Sequence, residues 1–168
     1  MLNVLILCTG NSARSIMAEA WLAHLGAGRF QAFSAGSKPA GQPHPQALAQ
    51  IARFAPQLAT HPWRSKSWLE FAEPTAPQMD IVITVCSNAA GETCPLWPGS
   101  PVSAHWGFED PAAADPAQQA VAFAAISAQI EARIRAMLAL PLEQMDAPAR
   151  QLALRQLAQQ TPAAESVA

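Results

Sequence analysis

Most of the reactive groups in this chain lie in a few short segments, and the densest of them is Cys8-Thr9-Gly10-Asn11-Ser12-Ala13-Arg14-Ser15. A small-residue loop that runs into a helix start turns successive backbone N–H groups inward and makes an anion cradle. The same field favours the thiolate form of a cysteine at its mouth. Arg14, six residues after Cys8, can lay a planar fork of donors on two oxygens of a tetrahedral oxyanion. Gly10 permits close backbone approach, and Asn11 tolerates a left-handed conformation. Thr9, Gly10, Asn11, Ser12, Ala13 and Arg14 are therefore the candidate oxyanion-binding residues, with Cys8 as candidate nucleophile.

Two further thiols, Cys86 and Cys94, bracket Ser87-Asn88-Ala89-Ala90-Gly91-Glu92-Thr93. A structural metal site is disfavoured, because the cysteines are not a tight pair and no histidine follows them. The segment has Gly91 and no bulky residue, which suits a loop that moves. A disulfide to Cys8 would need Cα atoms within about 7 Å. Two inert buried cysteines are the alternative reading; a thiol relay uses all three. A candidate acid comes from Trp106-Gly107-Phe108-Glu109-Asp110-Pro111, where a carboxyl over the cradle could protonate a leaving oxygen. Asp115-Pro116 reads better as the start of a helix, and Glu109 is a lesser rival.

These groups need elements to position them. Asn3–Leu7 is a continuous apolar run, as in a strand buried on both faces of a parallel sheet. Met17, Ala20, Trp21, His24 and Leu25 then follow helical spacing, with Gly26 and Gly28 as the stop. Arg29–Ser34, Asp80–Val85 and Val102–Trp106 are the other expected strands. Helices are expected from Pro45 to about Phe54, from Arg64 to Phe71, and from Ala117 to Leu138. In the last, Val121, Ala124, Ile130, Ile134 and Leu138 are expected near one face, and Pro141 ends it. Alternation of strands and helices predicts a three-layer α/β/α domain with a parallel sheet, whose strand ends form the ligand edge. Residues 1–140 are read as that domain. Residues 141–168 are read as a peripheral helix, built on Leu152, Leu154 and Leu157, followed by a disordered tail.

Cys8 to Ser15, followed by Met17-Ala18-Glu19, resembles the signature of the low-molecular-weight protein tyrosine phosphatase superfamily. The resemblance implies a four-stranded parallel sheet, Cys8 as nucleophile, Arg14 as oxyanion clamp, Ser15 stabilising the thiolate and Asn11 bracing the loop. It also implies Asp110, from the Asp-Pro pair, as the acid. With Cys86 to Gly99 included, the chain looks like the arsenate reductases built on this fold. That resemblance implies arsenate as substrate and a stepwise relay. Cys8 forms an adduct with arsenic, Cys86 attacks Cys8 to release arsenite, and Cys94 takes over the disulfide. An external thiol reductant, thioredoxin or glutathione with glutaredoxin, would then reduce it. The alternatives are a phosphatase using only Cys8, Arg14 and Asp110, and an oxyanion-responsive regulatory domain without turnover. Ala112-Ala113-Ala114 stands where an aryl pocket would be lined in a phosphatase, and the chain has no tyrosine. Some thioredoxin-coupled members hold a potassium ion near the cradle. Glu19 and Ser34 match part of such a site, but Trp63 or its neighbours stand in place of the expected carboxylate, so no metal is expected. Arg64-Ser65-Lys66-Ser67 resembles a segment of glutathione-linked relatives, or is simply a solvated basic turn.

Composition agrees with a small cytoplasmic enzyme. The 168 residues are 51% hydrophobic and 13% charged, with net charge -2. That excludes global disorder and gives no positive excess for nucleic acid. Leu2–Leu7 is far too short to span a bilayer, and no basic segment precedes it as in a signal peptide. Three cysteines make a poor disulfide framework and fit a reducing compartment. No membrane partner and no bound cofactor are expected, and the protein is expected to act as a monomer. His24, His44, His61 and His105 form no ligand spacing and are assigned to packing or surface. Trp97 and Trp106 are candidates for shielding the site or for the core.

Overall fold

The apolar N-terminal run becomes β1 (Leu2–Cys8), which lies inside the sheet of the computed structural model, with Val4 to Cys8 all buried. The structure describes residues 1–86, 89, 91–93 and 95–160. β1 is followed by α1 (Arg14–Leu25), β2 (Phe30–Gly36) and α2 (Pro45–Phe54). Then come β3 (Ile81–Thr84), β4 (Val102–His105), α3 (Gln119–Leu138) and α4 (Ala147–Gln159). All strand pairs are parallel, in the order β2-β1-β3-β4. The chain leaves β1 towards β2 on one side and returns to β3 on the other. Topology therefore reverses at the carboxyl ends of β1 and β3, the place where open parallel sheets bind ligands. Cys8 ends β1, and Cys86 lies two residues beyond β3.

The two faces of β1 enter different cores, as alternation requires. Val4, Ile6 and Cys8 join the larger core, which also holds residues of α1, α3 and α4. Leu5 and Leu7 face Ala35, Trp68, Phe71, Met79 and Val82. This second layer is thin. Arg64–Phe71 was expected as a helix, but only Trp68–Phe71 winds, as a single 3₁₀ turn capped by Ser67. Ser65 and Lys66 instead bond the loop after β1, Arg64 pairs with Glu70, and Ser67 forms a parallel bridge with Gly36.

α3 keeps its expected face in part: Ile130 and Ile134 are buried and Leu138 is partly buried against the core. The buried residues are Phe123, Ile126, Ser127, Ile130, Arg133, Ile134 and Met137, whereas Val121 is exposed. Alanine surrounds this helix, so apolar spacing alone did not fix its phase, and burial of the Phe123 ring did. Asp115 precedes a 3₁₀ turn, Pro116–Gln118, that leads into α3; its side chain makes no cap bond.

The expected helix after Pro141 is α4, whose Leu154 and Leu157 are buried in the larger core. Trp106 Nε1 donates to the Leu154 carbonyl at 3.0 Å, and the Arg133 guanidinium lies over the Trp106 ring at 5.9 Å. Trp106 is therefore a core residue, and Trp97 tilts against Trp68. The expected disordered tail, residues 161–168, lies outside the described residues. Leu154→Ala is expected to cost about 2–5 kcal/mol, because α4 cannot collapse onto the cavity without moving the Trp106 partner. Urea unfolding followed by Trp fluorescence measures that loss.

Arg29 ties the end of α3 to the following turn. It makes a bidentate pair with Glu143 and donates to the carbonyls of Leu138 and Leu140. The Arg29 hydrogen bonds pull the Glu143 carboxyl down to about 2. His44 caps α2 by accepting from Gln46 N and stacks on Phe123. His24 packs at Trp21 and Phe54, His61 lies against Trp63, and His105 bonds to Thr84.

Candidate active site

Cys8 is carried by the last residue of β1, and the chain then turns through Thr9–Ala13 into α1. Asn11 adopts φ 44, the left-handed conformation that asparagine tolerates. No side chain caps α1 and its first turn holds no acidic residue, so its leading N–H groups remain available to an anion. Asn11 N donates to Cys8 Sγ at 3.2 Å, and Ser15 Oγ lies 2.9 Å from the same sulfur. Cys8 is 4% exposed, and Asn11 and Ser15 are fully buried. The backbone around the loop is laced to its neighbour: Lys38 N donates to Thr9 O, Ala40 N to Gly10 O and His44 N to Ser12 O.

The proton directions in this cluster follow from the asparagine. Its Oδ1 accepts from Lys66 N at 2.8 Å, which fixes the amide orientation. Its Nδ2 then donates to Ser15 Oγ and to Ser34 Oγ, each at 2.9 Å. Since Ser15 Oγ accepts that bond, its own proton is free to donate to Cys8 Sγ. Two donors thus converge on the sulfur.

Arg14 stands over the rim, with Nη1 donating to the Phe108 carbonyl at 3.0 Å and Nη2 3.6 Å from Asp110 Oδ2. Asp110 also caps the turn Pro111–Ala113 by accepting from Ala112 N. The loop after β4 therefore brings the candidate acid to the candidate clamp. Glu109 and Asp115 are not tied to Arg14 by any described ion pair.

Cys86 comes to the same rim. It is 3% exposed, and its Sγ accepts from Thr9 N at 3.3 Å and from Ala89 N at 3.4 Å, with Thr9 Oγ1 at 3.5 Å. Thr9, expected as an oxyanion ligand, directs its amide to this second thiol. Cys8 and Cys86 are both unbridged thiols. Cys94 lies outside the described residues.

Four groups at the site were not legible, or only in part, from the sequence. Ser65 Oγ donates to Gly10 O at 3.0 Å, and Lys66 N holds Asn11 as above, so the segment read as a basic turn is a wall of the cradle. Gly36 leaves no room for a side chain, since a Cβ there would collide with the Thr9 carbonyl oxygen. Glu19 is buried and accepts from Ser34 Oγ. Burial pushes its carboxyl above the usual range, against the opposing pull of Lys66 and Ser34. Lys66 Nζ lies 3.7 Å from Glu19 Oε2, with the two side chains 10% and 11% exposed. Burial likewise pushes the Lys66 ammonium below its ordinary value. An ammonium already facing the carboxylate does not fit a resident potassium ion there. Among the described residues no cluster of three or more His, Cys, Asp or Glu could hold a metal, and no helix is long and apolar enough to cross a membrane.

Comparison with known proteins agrees with this geometry. The family described as low molecular weight phosphotyrosine protein phosphatase matches residues 3–151. Arsenate reductase 2 of Staphylococcus epidermidis is 33% identical over 110 residues, which are 66% of this chain and 79% of that protein. A solved arsenate reductase in the oxidized state superposes with TM-score 0.64 and 26% identity, covering 80% of this chain and 95% of the other. The thioredoxin-dependent arsenate reductase of Corynebacterium glutamicum gives TM-score 0.56 and 25% identity over 82% of this chain. The match spans only 60% of that longer protein. Signature loop, four-stranded parallel sheet and family match together mean that this chain belongs to the low-molecular-weight phosphotyrosine protein phosphatase family.

Proposed function

We propose that the protein is an arsenate reductase that works through a three-thiol relay. The observation that carries the reading is Cys86. Hydrolysis of a phosphocysteine needs no second thiol, yet Cys86 Sγ is buried against the cradle backbone at Thr9. The arsenate reductases among its relatives support the same reading.

Arsenate enters the cradle and is gripped by loop amides and the Arg14 guanidinium, one of whose N–H donors is engaged with the Phe108 carbonyl. Cys8 thiolate attacks arsenic, and Asp110 gives a proton to the oxygen that departs as water. Cys86 thiolate then attacks Cys8 Sγ. The sulfur–arsenic bond breaks, its electron pair stays on arsenic, and arsenite leaves behind a Cys8–Cys86 disulfide. Cys94 attacks Cys86, frees Cys8 and leaves a Cys86–Cys94 disulfide. An external dithiol, of the thioredoxin or glutaredoxin class, accepts the oxidation by exchange. A relay of this kind belongs in a reducing compartment, which we take to be the cytoplasm. A monomer suffices, since one chain supplies all three thiols.

The test is arsenate-dependent NADPH oxidation coupled through thioredoxin or glutaredoxin. Turnover with either supports the reading. Rapid aryl phosphate hydrolysis without arsenate turnover would make the protein a phosphatase instead. Asp110→Ala is expected to lower kcat by about 10²–10⁴-fold, the usual worth of a positioned acid. A normal rate in that variant would move the role elsewhere.

A further inference from the structure

Arg133 is a buried charged side chain that the steps above leave unused. It lies on α3, is 8% exposed, and forms no ion pair among the described residues. A buried cation without a carboxylate is costly, and burial pushes this guanidinium below its ordinary value. Its Nη2 donates to the Gln160 carbonyl at 3.0 Å, just past the end of α4. The rest of the charge faces two rings, Trp106 at 5.9 Å and Phe108 at 5.7 Å. Both lie inside the roughly 6 Å over which an aromatic face holds a cation.

Phe108 carries that contact to the site. It is 7% exposed, and its N–H donates to the Val85 carbonyl at 3.1 Å, one residue before Cys86. Trp106 N donates to Thr84 O at 2.8 Å, so the ladder between β3 and β4 continues past the end of β4 and turns both rings to one side. The Phe108 carbonyl accepts from Arg14 Nη1 at 3.0 Å. Two residues on, Asp110 lies 3.6 Å from Arg14 Nη2.

We infer that Arg133 is a positioning residue that fixes the Arg14 clamp and the Asp110 turn through the ring of Phe108. The guanidinium holds the ring, and the ring sets where the Phe108 carbonyl lies. That carbonyl and Asp110 together hold the Arg14 fork at the rim before an oxyanion arrives. A clamp already in place loses little freedom on binding, whereas a loose arginine has to be ordered at the expense of affinity. Arg133 has no described hydrogen bond to Arg14, Asp110 or either described thiol, so its effect passes through Phe108.

The inference rests on Arg14 being the oxyanion clamp of the proposed function, but its test needs no arsenate turnover. Inorganic phosphate is titrated into the reduced full-length protein and its affinity read by calorimetry. Arg133→Met is expected to weaken phosphate by about threefold to tenfold, the worth of a buried cation–ring contact. Its melting temperature without phosphate is expected at or above the parent value, because an unpaired buried charge has been removed. Arg133→Lys places its charge the same number of bonds along the side chain as the guanidinium carbon, and is expected to stay within about twofold of the parent. Phe108→Leu is expected to lose as much as Arg133→Met, and the double variant no more than either, since residues that act as one unit do not add. Parent affinity in a folded Arg133→Met protein would overturn the inference. So would losses that add in the double variant, a loss in Arg133→Lys equal to that in Arg133→Met, or a loss that comes only with a lowered melting temperature. If Arg133→Met does not fold, Phe108→Leu decides: weaker phosphate at the parent melting temperature supports the inference, and parent affinity overturns it. A protein without arsenate turnover that still shows this pattern would sink the proposed activity and leave the positioning role intact.

Discussion

Cys8→Ser is expected to abolish arsenate reduction, with loss of about 10⁴-fold or more and no residual slow phase. Serine keeps nearly the same size, so the buried cluster of Asn11, Ser15 and Ser34 should survive the change. What disappears is both the nucleophile and the sulfur that must become oxidised. An alkoxide route cannot replace it, because no oxygen nucleophile can later form a disulfide. The cradle itself remains: the uncapped start of α1 and Arg14 still present donors to an oxyanion. Phosphate or arsenate should therefore raise the melting temperature of Cys8→Ser as it does the parent, by the mass-action stabilisation that any native-state ligand confers. Thermal unfolding with and without phosphate, run beside the coupled assay, separates the two effects. Retained turnover would show that another residue attacks arsenic.

The second large effect belongs to the exit path. Cys86→Ser is expected to eliminate multiple turnover and arsenite release alike, because the Cys8–arsenic adduct has no thiol to resolve it. Cys94→Ser is expected to differ: one arsenite per chain, then arrest as a Cys8–Cys86 disulfide. The difference follows from the order of attack. In the proposed relay Cys86 acts first, and Thr9 N and Ala89 N, both donating to its Sγ, hold it against the cradle. Rapid-quench measurement of arsenite, with mass analysis of the trapped protein, distinguishes the two variants. Full steady-state activity in both would remove the relay and leave only the Cys8 chemistry.

The parts of this site that were readable in the sequence are those held by local rules. An apolar run, a small-residue loop and a helical spacing put Cys8, Asn11, Arg14 and Ser15 together, and the left-handed Asn11 follows from the loop alone. Cys86 was readable as lying at the same sheet edge, because β3 is an apolar run of its own next to β1. Long-range bonds were not readable. Ser65 and Lys66 reach residues 10 and 11 across 55 positions, and no periodicity records such a bond. The same segment was expected to be helical because its side-chain pattern allows it; its first residues are instead taken up by the bonds of Ser65 and Lys66 to the loop after β1. Gly36 carried no signal beyond being a glycine at a strand end, and its need for close approach appears only once the loop after β1 lies against it. In α3 the difficulty was composition. With alanine on every side, the stripe through Phe123, Ile130 and Met137 competes with several others, and tertiary packing decides.

Fully reduced protein is mixed with one equivalent of arsenate and no reductant, then quenched, digested and mapped for thiols and disulfides while released arsenite is counted. The three-thiol relay predicts one arsenite per chain, loss of two thiols, and a peptide pair joined through Cys86 and Cys94 with Cys8 free. Three intact thiols and no arsenite, in protein that cleaves an aryl phosphate, would contradict it.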